Sequence, residues 1–362
     1  NLSRGLGDVY KRQVVVSVAT FNLVQATEQQ EGYAYTWRVS ELEEQVEALE
    51  TEVAELKALL VGVTRVSDEL DYDTLLFSGM NVQIVNGKGS TEIINGTGNL
   101  VIGYNAGDHA CPSGFNCDKR VGSHNLVLGT HNNYPSYGGM VVGGWNGAYA
   151  PHSTVTAGSY NYASQPYSSI SGGHGHWANA ELSSISGGSF NVTEGKYSSI
   201  SGGTYGNAEG YNTTIGGGYD NFATGDYAVV LGGWTNMAKG AYSTVSGGEF
   251  NESFGDYSSV SGGYHNGAWG ANTSISGGQH NYANGYASSI SGGDENEVMA
   301  DSSFSSICGG QKNETWGKWA FIGGGYSNLV NLDKRNAAIS GGSSKVANSD
   351  FCWIGGSFTD CL

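Results

Sequence analysis

The chain has 362 residues, of which 59 are Gly and 4 are Pro; charged residues make up 14% and the formal net charge is −17. A triple helix needs about one-third Gly and abundant Pro, so collagen is excluded, and 22 Tyr, 11 Phe and 8 Trp are too many for a disordered Gly/Ser linker. Scarce large aliphatics argue against a big α/β enzyme core, and the lack of a basic stripe to displace phosphate counterions argues against nucleic acid as a partner.

Residues 1–13 match nothing downstream and read like a translated adapter, so they are set aside from the fold. Val14 to Val24 form an apolar run followed by Gln25-Ala26, which suits signal-peptidase cleavage after Ala26. The run is shorter than the roughly 20 residues a membrane span needs. Residues 1–26 are therefore expected to be adapter plus the remnant of a secretory signal, with a buried strand or a truncated anchor as alternatives. Without Arg4, Lys11, Arg12 and Asp8 the charge becomes −19, so the acidity does not depend on this segment.

From Val39 the apolar residues alternate in steps of three and four: Val39, Leu42, Val46, Leu49, Val53, Leu56, Leu60 and Val63. This seam predicts a coiled-coil helix over residues 27–66, with Val39, Val46, Val53 and Leu60 at a and Leu42, Leu49, Leu56 and Val63 at d. Four heptads give roughly 42 Å of helix. Glu41, Glu43, Glu44, Glu47, Glu50, Glu52 and Glu55 crowd the other faces, with only Arg38 and Lys57 to oppose them. A single amphipathic helix docked on a domain is the alternative. β-branched a with Leu at d favours dimers, whereas the rest of the chain favours three strands, and the number stays open.

Residues 67–98 are expected to be a neck or lead-in β segment, and residues 99–356 a repeat domain. The segment Ser-Ser-Ile-Ser-Gly-Gly recurs at Ser168–Gly173, Ser183–Gly188, Ser198–Gly203 and Ser288–Gly293. Its aliphatic falls at Val155, Ile170, Ile185, Ile200, Ile215, Val230, Val245, Val260, Ile275 and Ile290 in steps of 15, then after two-residue insertions at Ile307, Ile322, Ile339 and Ile354. Val101, Val127 and Val141 look like earlier, irregular copies. In phase with the aliphatic come Asn six residues later (Asn191, Asn251, Asn281), a small residue at eight (Ala178, Ala223), Gly at ten (Gly195, Gly240) and often Tyr at twelve (Tyr197, Tyr242). In Ser-Ile-Ser the serines point one way and Ile the other. Gly-Gly and the later Gly are expected to supply positive-φ turns. One unit cannot bury its aliphatic alone, but coils stacked about 4.8 Å apart can. Near-absence of Pro agrees, since most N–H groups must donate to a neighbouring coil.

The x-Ile-Ser-Gly-Gly strands and the Asn-x-Ala-x-Gly segments, as in Ser184 to Gly195, resemble the YadA-like head of trimeric autotransporter adhesins, over roughly Gly98 to Gly356. That resemblance implies an all-β fold, a left-handed parallel β-roll of about 15-residue repeats, here preceded by an α-helical coiled coil, with three chains sharing one axis. The pattern also resembles Ser-Ile-Ser-Gly-Gly stretches of exported proteins of unknown function, preceded by segments like Leu76 to Ile84. The order departs from the adhesins, in which the head precedes the stalk and a C-terminal barrel anchors the chain. Here the helix comes first, and no run of amphipathic 10-residue strands follows the repeats, so attachment is expected from the N-terminal side.

Residues 357–362 are expected to form a C-terminal cap. Cys111 with Cys117 and Cys352 with Cys361 are disulfide candidates in an exported chain, with metal binding the poorer reading of their spacing. Cys308 replaces a repeat Ser. His174-Gly175-His176 is the one close His pair. No Ser has a His and an acid in a context suggesting a triad, so no catalytic residue, cofactor or metal site is expected. Asn-x-Ser/Thr occurs at Asn95, Asn191, Asn212, Asn251, Asn272 and Asn313. Trp177, Trp234, Trp269, Trp316 and Trp319 lie in or beside turns, where rings either bind sugars or a surface, or stack as a ladder that seals coil to coil, the latter being favoured for the Tyr row. The function expected is a non-catalytic, adhesin-like protein at the cell surface or outside the cell, a homotrimer attaching to a glycan, matrix or cell. A ligand-free spacer and an ice- or crystal-binding solenoid are the alternatives.

Overall fold

The computed structural model describes residues 36–67, 73–106 and 119–356, together with Ser17. The chain divides into two units, Asn1–Gln83 and Ile84–Leu362. In the first, helix α1 (Thr36–Leu59) contains no Gly or Pro and is rich in the good helix formers Glu, Leu and Ala. It ends where the Leu60 N–H is shared between the carbonyls of Leu56 and Lys57, at 3.2 and 3.3 Å. Gly62 then turns the chain at φ +87°, and a Cβ there would lie 2.4 Å from the Ser78 carbonyl. Strand β1 (Val63–Ser67) follows and pairs antiparallel with β2 (Asp73–Phe77). This corrects the expected helix over 27–66 at its C-terminal end, residues 60–66; residues 27–35 lie outside the described residues. Leu60 lies in the terminating turn and Val63 opens a strand, because Gly62 breaks the helical pattern that the heptad spacing alone would continue. Along α1 itself, Val39, Leu42, Val46 and Val53 are half-buried, and Leu49 and Leu56 are exposed.

The second unit is a parallel β-solenoid of about 15-residue turns. From Thr154 onward the turns contribute one two-residue strand holding the aliphatic, such as Ser184–Ile185, and one holding the small residue, such as Val192–Thr193; the aliphatic strands of the earlier turns run to three to five residues. Ile185 pairs with Ile170 and Ile200, and Thr193 with Ala178 and Ala208, so every step along the chain is one step along the stack. The first row runs from Leu100–Ile102 to Trp353–Ile354 and the second from Gly147–Ala148 to Val346–Ala347. A third row consists of single bridges, such as Ser159 to His174 to Ser189 to Thr204. Two-residue strands would be negligible alone; here each is a rung of a long ladder.

The interior is narrow and filled by four columns. Val155, Ile170, Ile185, Ile200, Ile215, Val230, Val245, Val260, Ile275, Ile290, Ile307, Ile322, Ile339 and Ile354 are all 0–1% exposed, as are Val127 and Val141, whereas Val101 in the first coil is 41% exposed. Opposite lies the small column, including Ala178, Ala208 and Ala223, all fully buried. At the corner before most aliphatics sits a buried Ser or Thr, replaced by Ala228, Ala320, Ala337 and Cys352 in four coils; in several the hydroxyl donates back into the turn, as from Ser168 Oγ to the Gln165 carbonyl at 2.6 Å, whereas those of Ser198 and Ser243 have no partner.

The fourth column is polar. Asn146, Asn161, Asn221, Asn236, Asn251, Asn266, Asn281, Asn296, Asn313 and Asn328 are 0–1% exposed. Each bridges the backbone of two successive coils. Asn236 Oδ1 accepts the N–H of Asn251 at 2.9 Å, while its Nδ2 donates to the Gly232 carbonyl in its own coil and to the Gly248 carbonyl in the next, both at 2.9 Å. A buried amide costs several kcal/mol without partners; here every polar atom has one, and each side chain satisfies backbone groups that turn away from the sheet rows.

The glycines divide into two kinds. Gly188, the second of its Gly-Gly pair, has φ +94°, and a Cβ on it would meet the Gly203 carbonyl at 2.0 Å. Gly195 does not supply the expected positive φ. A Cβ there would lie 1.7 Å from the Gly210 carbonyl, so it is small because the next coil passes against it. The positive φ of that corner belongs to Tyr197, at +62°.

Two coils interrupt the Asn column. Gly206 has no side chain to accept the Asn221 N–H. Its ideal Cβ would lie 3.1 Å from Asn191 Oδ1, so an asparagine fits after a small shift. Gly206→Asn should therefore stabilise the roll by about 1 kcal/mol and raise the calorimetric melting temperature; a lower one would refute the fit. At the other break, the fully buried His176 accepts the Asn191 N–H on Nδ1 at 3.1 Å, while Nε2 leans toward the Gly188 carbonyl without a well-formed hydrogen bond. Burial holds this imidazole below its ordinary titration range. The unfolded chain therefore takes up a proton first as pH falls below about 6.5. Stability should decline with acidification from that point, and His176→Asn should flatten the decline in melting temperature measured from pH 7 to 5.

Candidate binding surface

The outward positions carry the chemistry that distinguishes one side of the roll from another. At the corner before the aliphatic the third residue of a four-residue turn has positive φ, and in several coils the turn closes with a hydrogen bond, such as Ser198 N–H to the Gly195 carbonyl at 3.1 Å. Gly or Asn usually fills that place. This chain puts Tyr167, Tyr197, Tyr227, Tyr242, Tyr257, Phe304 and Trp319 there. A bulky residue in this backbone region costs about 1–2 kcal/mol. The ring that results is aimed outward and meets the ring one coil away, which returns about 0.5–1.5 kcal/mol per pair. Pro151 and Pro166 precede such residues, where their fixed φ suits the turn and the missing N–H is not needed by a ladder.

The result is columns of rings. One runs Tyr197, Tyr211, Tyr227, Tyr242, Tyr257, with centroids 5.4, 5.5, 4.7 and 5.0 Å apart in turn. Asn212 holds the corner position in the second coil, and the adjacent Tyr211 fills the gap. Another column begins at His131 and Trp145, stacked at 4.3 Å, and continues through Tyr160, His174, Phe190, Tyr205 and Tyr219 to Trp234. Many rings stay open to solvent, among them Tyr205 at 46%, Trp234 at 54% and Tyr257 at 60%. The Tyr row is thus both the ladder expected from the sequence and an exposed apolar track. Trp177 and Trp269 stand on the outer side of the small-residue row, where Trp177 packs on Tyr162 at 4.7 Å and Trp269 donates to Glu252 at 3.2 Å.

Charged groups gather toward the far end of the roll. A cleft of about 610 Å³ is lined in part by His280, Tyr282, Glu297, Lys312 and Glu314. Glu297 and Glu314 face each other in register on adjacent coils. Burial, and then the Glu314 charge, push the Glu297 carboxyl above its ordinary range, opposed by a hydrogen bond from Asn284 at 3.2 Å. Lys312 pairs with Glu295 at 3.4 Å and Lys196 with Glu181 at 2.9 Å, each linking consecutive coils.

The other residues singled out in the sequence separate in space. His174 is exposed in the bridge row while His176 fills the interior, so the pair cannot share a ligand. Among the described residues no group of three or more His, Cys, Asp or Glu could hold a metal ion, and no helix is long and apolar enough to cross a membrane. Cys111, Cys117 and Cys361 lie outside the described residues. Cys352 is disulfide-bonded and takes the inner Ser position at 4% exposure, whereas Cys308 is free and exposed on the outer Ser position. Of the Asn-x-Ser/Thr sites, Asn191, Asn251 and Asn313 are buried members of the Asn column and closed to glycosylation; Asn95, Asn212 and Asn272 are exposed. The role of Asn in the interior was not assigned from the sequence, although its in-phase spacing carried the signal. No protein-family model matches the chain, and no curated protein matches it.

The stacked carboxylates have a measurable consequence. With its folded titration raised, Glu297 costs stability as pH rises through that range, because the unfolded chain ionises first. Glu297→Gln should stabilise the roll at pH 7 by up to about 1 kcal/mol and leave it unchanged at pH 4; equal melting temperatures for the two proteins at pH 7 would rule out repulsion between these coils.

Proposed function

We propose that the chain is a non-catalytic, adhesin-like surface or fibre protein that acts outside the cell and uses its roll for attachment. The observation that carries this reading is the set of continuous, solvent-open aromatic columns on a hydrogen-bonded rod. Aromatic rings bury much area for little lost side-chain entropy, and a regular row of them offers repeated weak contacts that sum by avidity. In this reading the roll winds left-handed like the YadA-like head of trimeric autotransporter adhesins, and α1 forms a coiled coil that holds three copies together. The half-open stripe Val39, Leu42, Val46, Leu49, Val53 and Leu56 supports association. The ligand class is a glycan or matrix surface, with no nucleic acid.

A second reading rests on the outer side of the aliphatic row. Thr154, Ser169, Ser184, Ser199 and Thr214 stand there in unbroken register, and Thr244, Ser259, Ser274 and Ser289 resume it after the single break at Val229. An uncharged, periodic hydroxyl face suits an ice or crystal surface.

Light scattering on the purified chain should give three copies, and glycan-array or cell-binding assays should show saturable attachment that Tyr205→Ala and Trp234→Ala each weaken at least threefold. Saturable binding that both variants retain in full would remove the aromatic columns from the site. Absence of any saturable binding would leave a spacer, and thermal hysteresis above a buffer control would favour the hydroxyl face instead.

A further inference from the structure

Between Arg120 and Phe351 the only cysteine is Cys308, and it is free, so no disulfide ties one coil of this stretch to the next. The same stretch holds five tyrosines in one column. Tyr227 and Tyr242 stack with centroids 4.7 Å apart and planes within 2°, and Tyr242 and Tyr257 do so at 5.0 Å and 2°. Their backbones are pinned, since the Tyr242 N–H donates to the Asp226 carbonyl and the Tyr257 N–H to the Ala241 carbonyl, both at 2.8 Å. Their outer edges are open, at 38, 48 and 60% exposure for Tyr227, Tyr242 and Tyr257. The neighbouring pairs Tyr197–Tyr211 and Tyr211–Tyr227 meet edge to face instead, at 76° and 64°.

We propose that the tyrosine column is an oxidative cross-linking site, in which Tyr242 couples to Tyr227 or to Tyr257 as dityrosine and staples successive coils covalently. The oxidant is hydrogen peroxide acting through a haem peroxidase. Each of two phenols gives up one electron and one proton, and the peroxide takes both pairs to become two waters. The two phenoxyl radicals join through ring carbons ortho to oxygen, forming one C–C bond. The ortho hydrogens then move to the oxygens, which restores both hydroxyl groups, so the product is two hydrogens lighter than the reactants. Stacking places each radical next to its partner before diffusion matters, as proximity does in any intramolecular reaction. The corner lies on the solvent side, so the rings can tilt into bonding contact without disturbing the interior columns. This inference does not depend on the attachment reading.

The test uses the full chain treated with hydrogen peroxide and peroxidase at several protein dilutions, followed by proteolysis and mass spectrometry. Tyr227–Tyr242 and Tyr242–Tyr257 links within one chain should dominate, exceed those of the edge-on pair Tyr205–Tyr219 several-fold, and form in a yield independent of dilution. Tyr242→Phe should remove both links and at least halve dityrosine fluorescence. It should fold, because Phe304 occupies the same corner position in a later coil; Tyr257→Phe, which should remove only the second link, serves as an independent check. Links that form mainly between chains, that follow exposure alone by favouring the fully exposed Tyr104, or whose total is unchanged in both variants would overturn the proposal.

Discussion

Everything in the roll depends on two successive coils lying one strand spacing apart, about 4.8 Å. At that distance the backbone of each coil hydrogen-bonds to the next, and a side chain in the interior has room for itself and its copies above and below but for little else. The aliphatic column is buried only by its own repeats. The Asn column is satisfied only by the next coil: Asn266 Oδ1 accepts from Asn281 N–H at 3.1 Å, and Asn266 Nδ2 donates to the Gly278 carbonyl at 2.9 Å. Glycine at Gly195 follows from the same spacing, since a methyl group there would occupy the next coil's carbonyl. Removing one coil would therefore expose apolar and polar interior groups together, which gives a solenoid its nearest-neighbour cooperativity.

Irregularities fall where this spacing permits them. The two-residue insertions lie at the corners, in Met299 to Ser305 and in Asn331 to Asn336, so Val298 still pairs with Thr315, and Ile322 with Ile339, in register. A longer corner bulges into solvent and leaves the columns aligned. His176 and Gly206 break the Asn column instead, and they do so next to one intact member, Asn191, which bonds to both: it donates its N–H to His176 and accepts the Gly206 N–H at 2.8 Å. Polar breaks in a narrow interior are tolerated when the neighbouring coil retains its own contacts.

The outer surface obeys the same period without the same restriction. Ser and Thr line the aliphatic row, rings line the corners, and the charged side chains collect around Glu295, Glu297, Lys312 and Glu314. Because each outward position repeats once per coil, any side chain placed there becomes a stripe. A stripe of rings is adhesive, a stripe of hydroxyls is lattice-like, and a stripe of carboxylates repels itself. The choice of residue at one register position thus sets the character of a whole side of the rod.

The period, the parallel coils and the membership of the aliphatic and small-residue columns were legible in the sequence, because a residue that must stack on its own copy has to recur at one fixed interval. Heptad spacing was equally visible, yet it could not show that Gly62 ends the helix and sends Val63 into a strand, since spacing is blind to backbone conformation. The regular Asn was visible as a position and silent as to role: its partners are backbone groups twelve to fifteen residues away, which only the stacked chain brings within reach. The tertiary structure likewise decided that Tyr197 rather than Gly195 takes the positive φ, and that Tyr211 steps into the ring column in place of Asn212. Periodicity records which residues must resemble one another, whereas the direction each one faces is settled by contacts between coils.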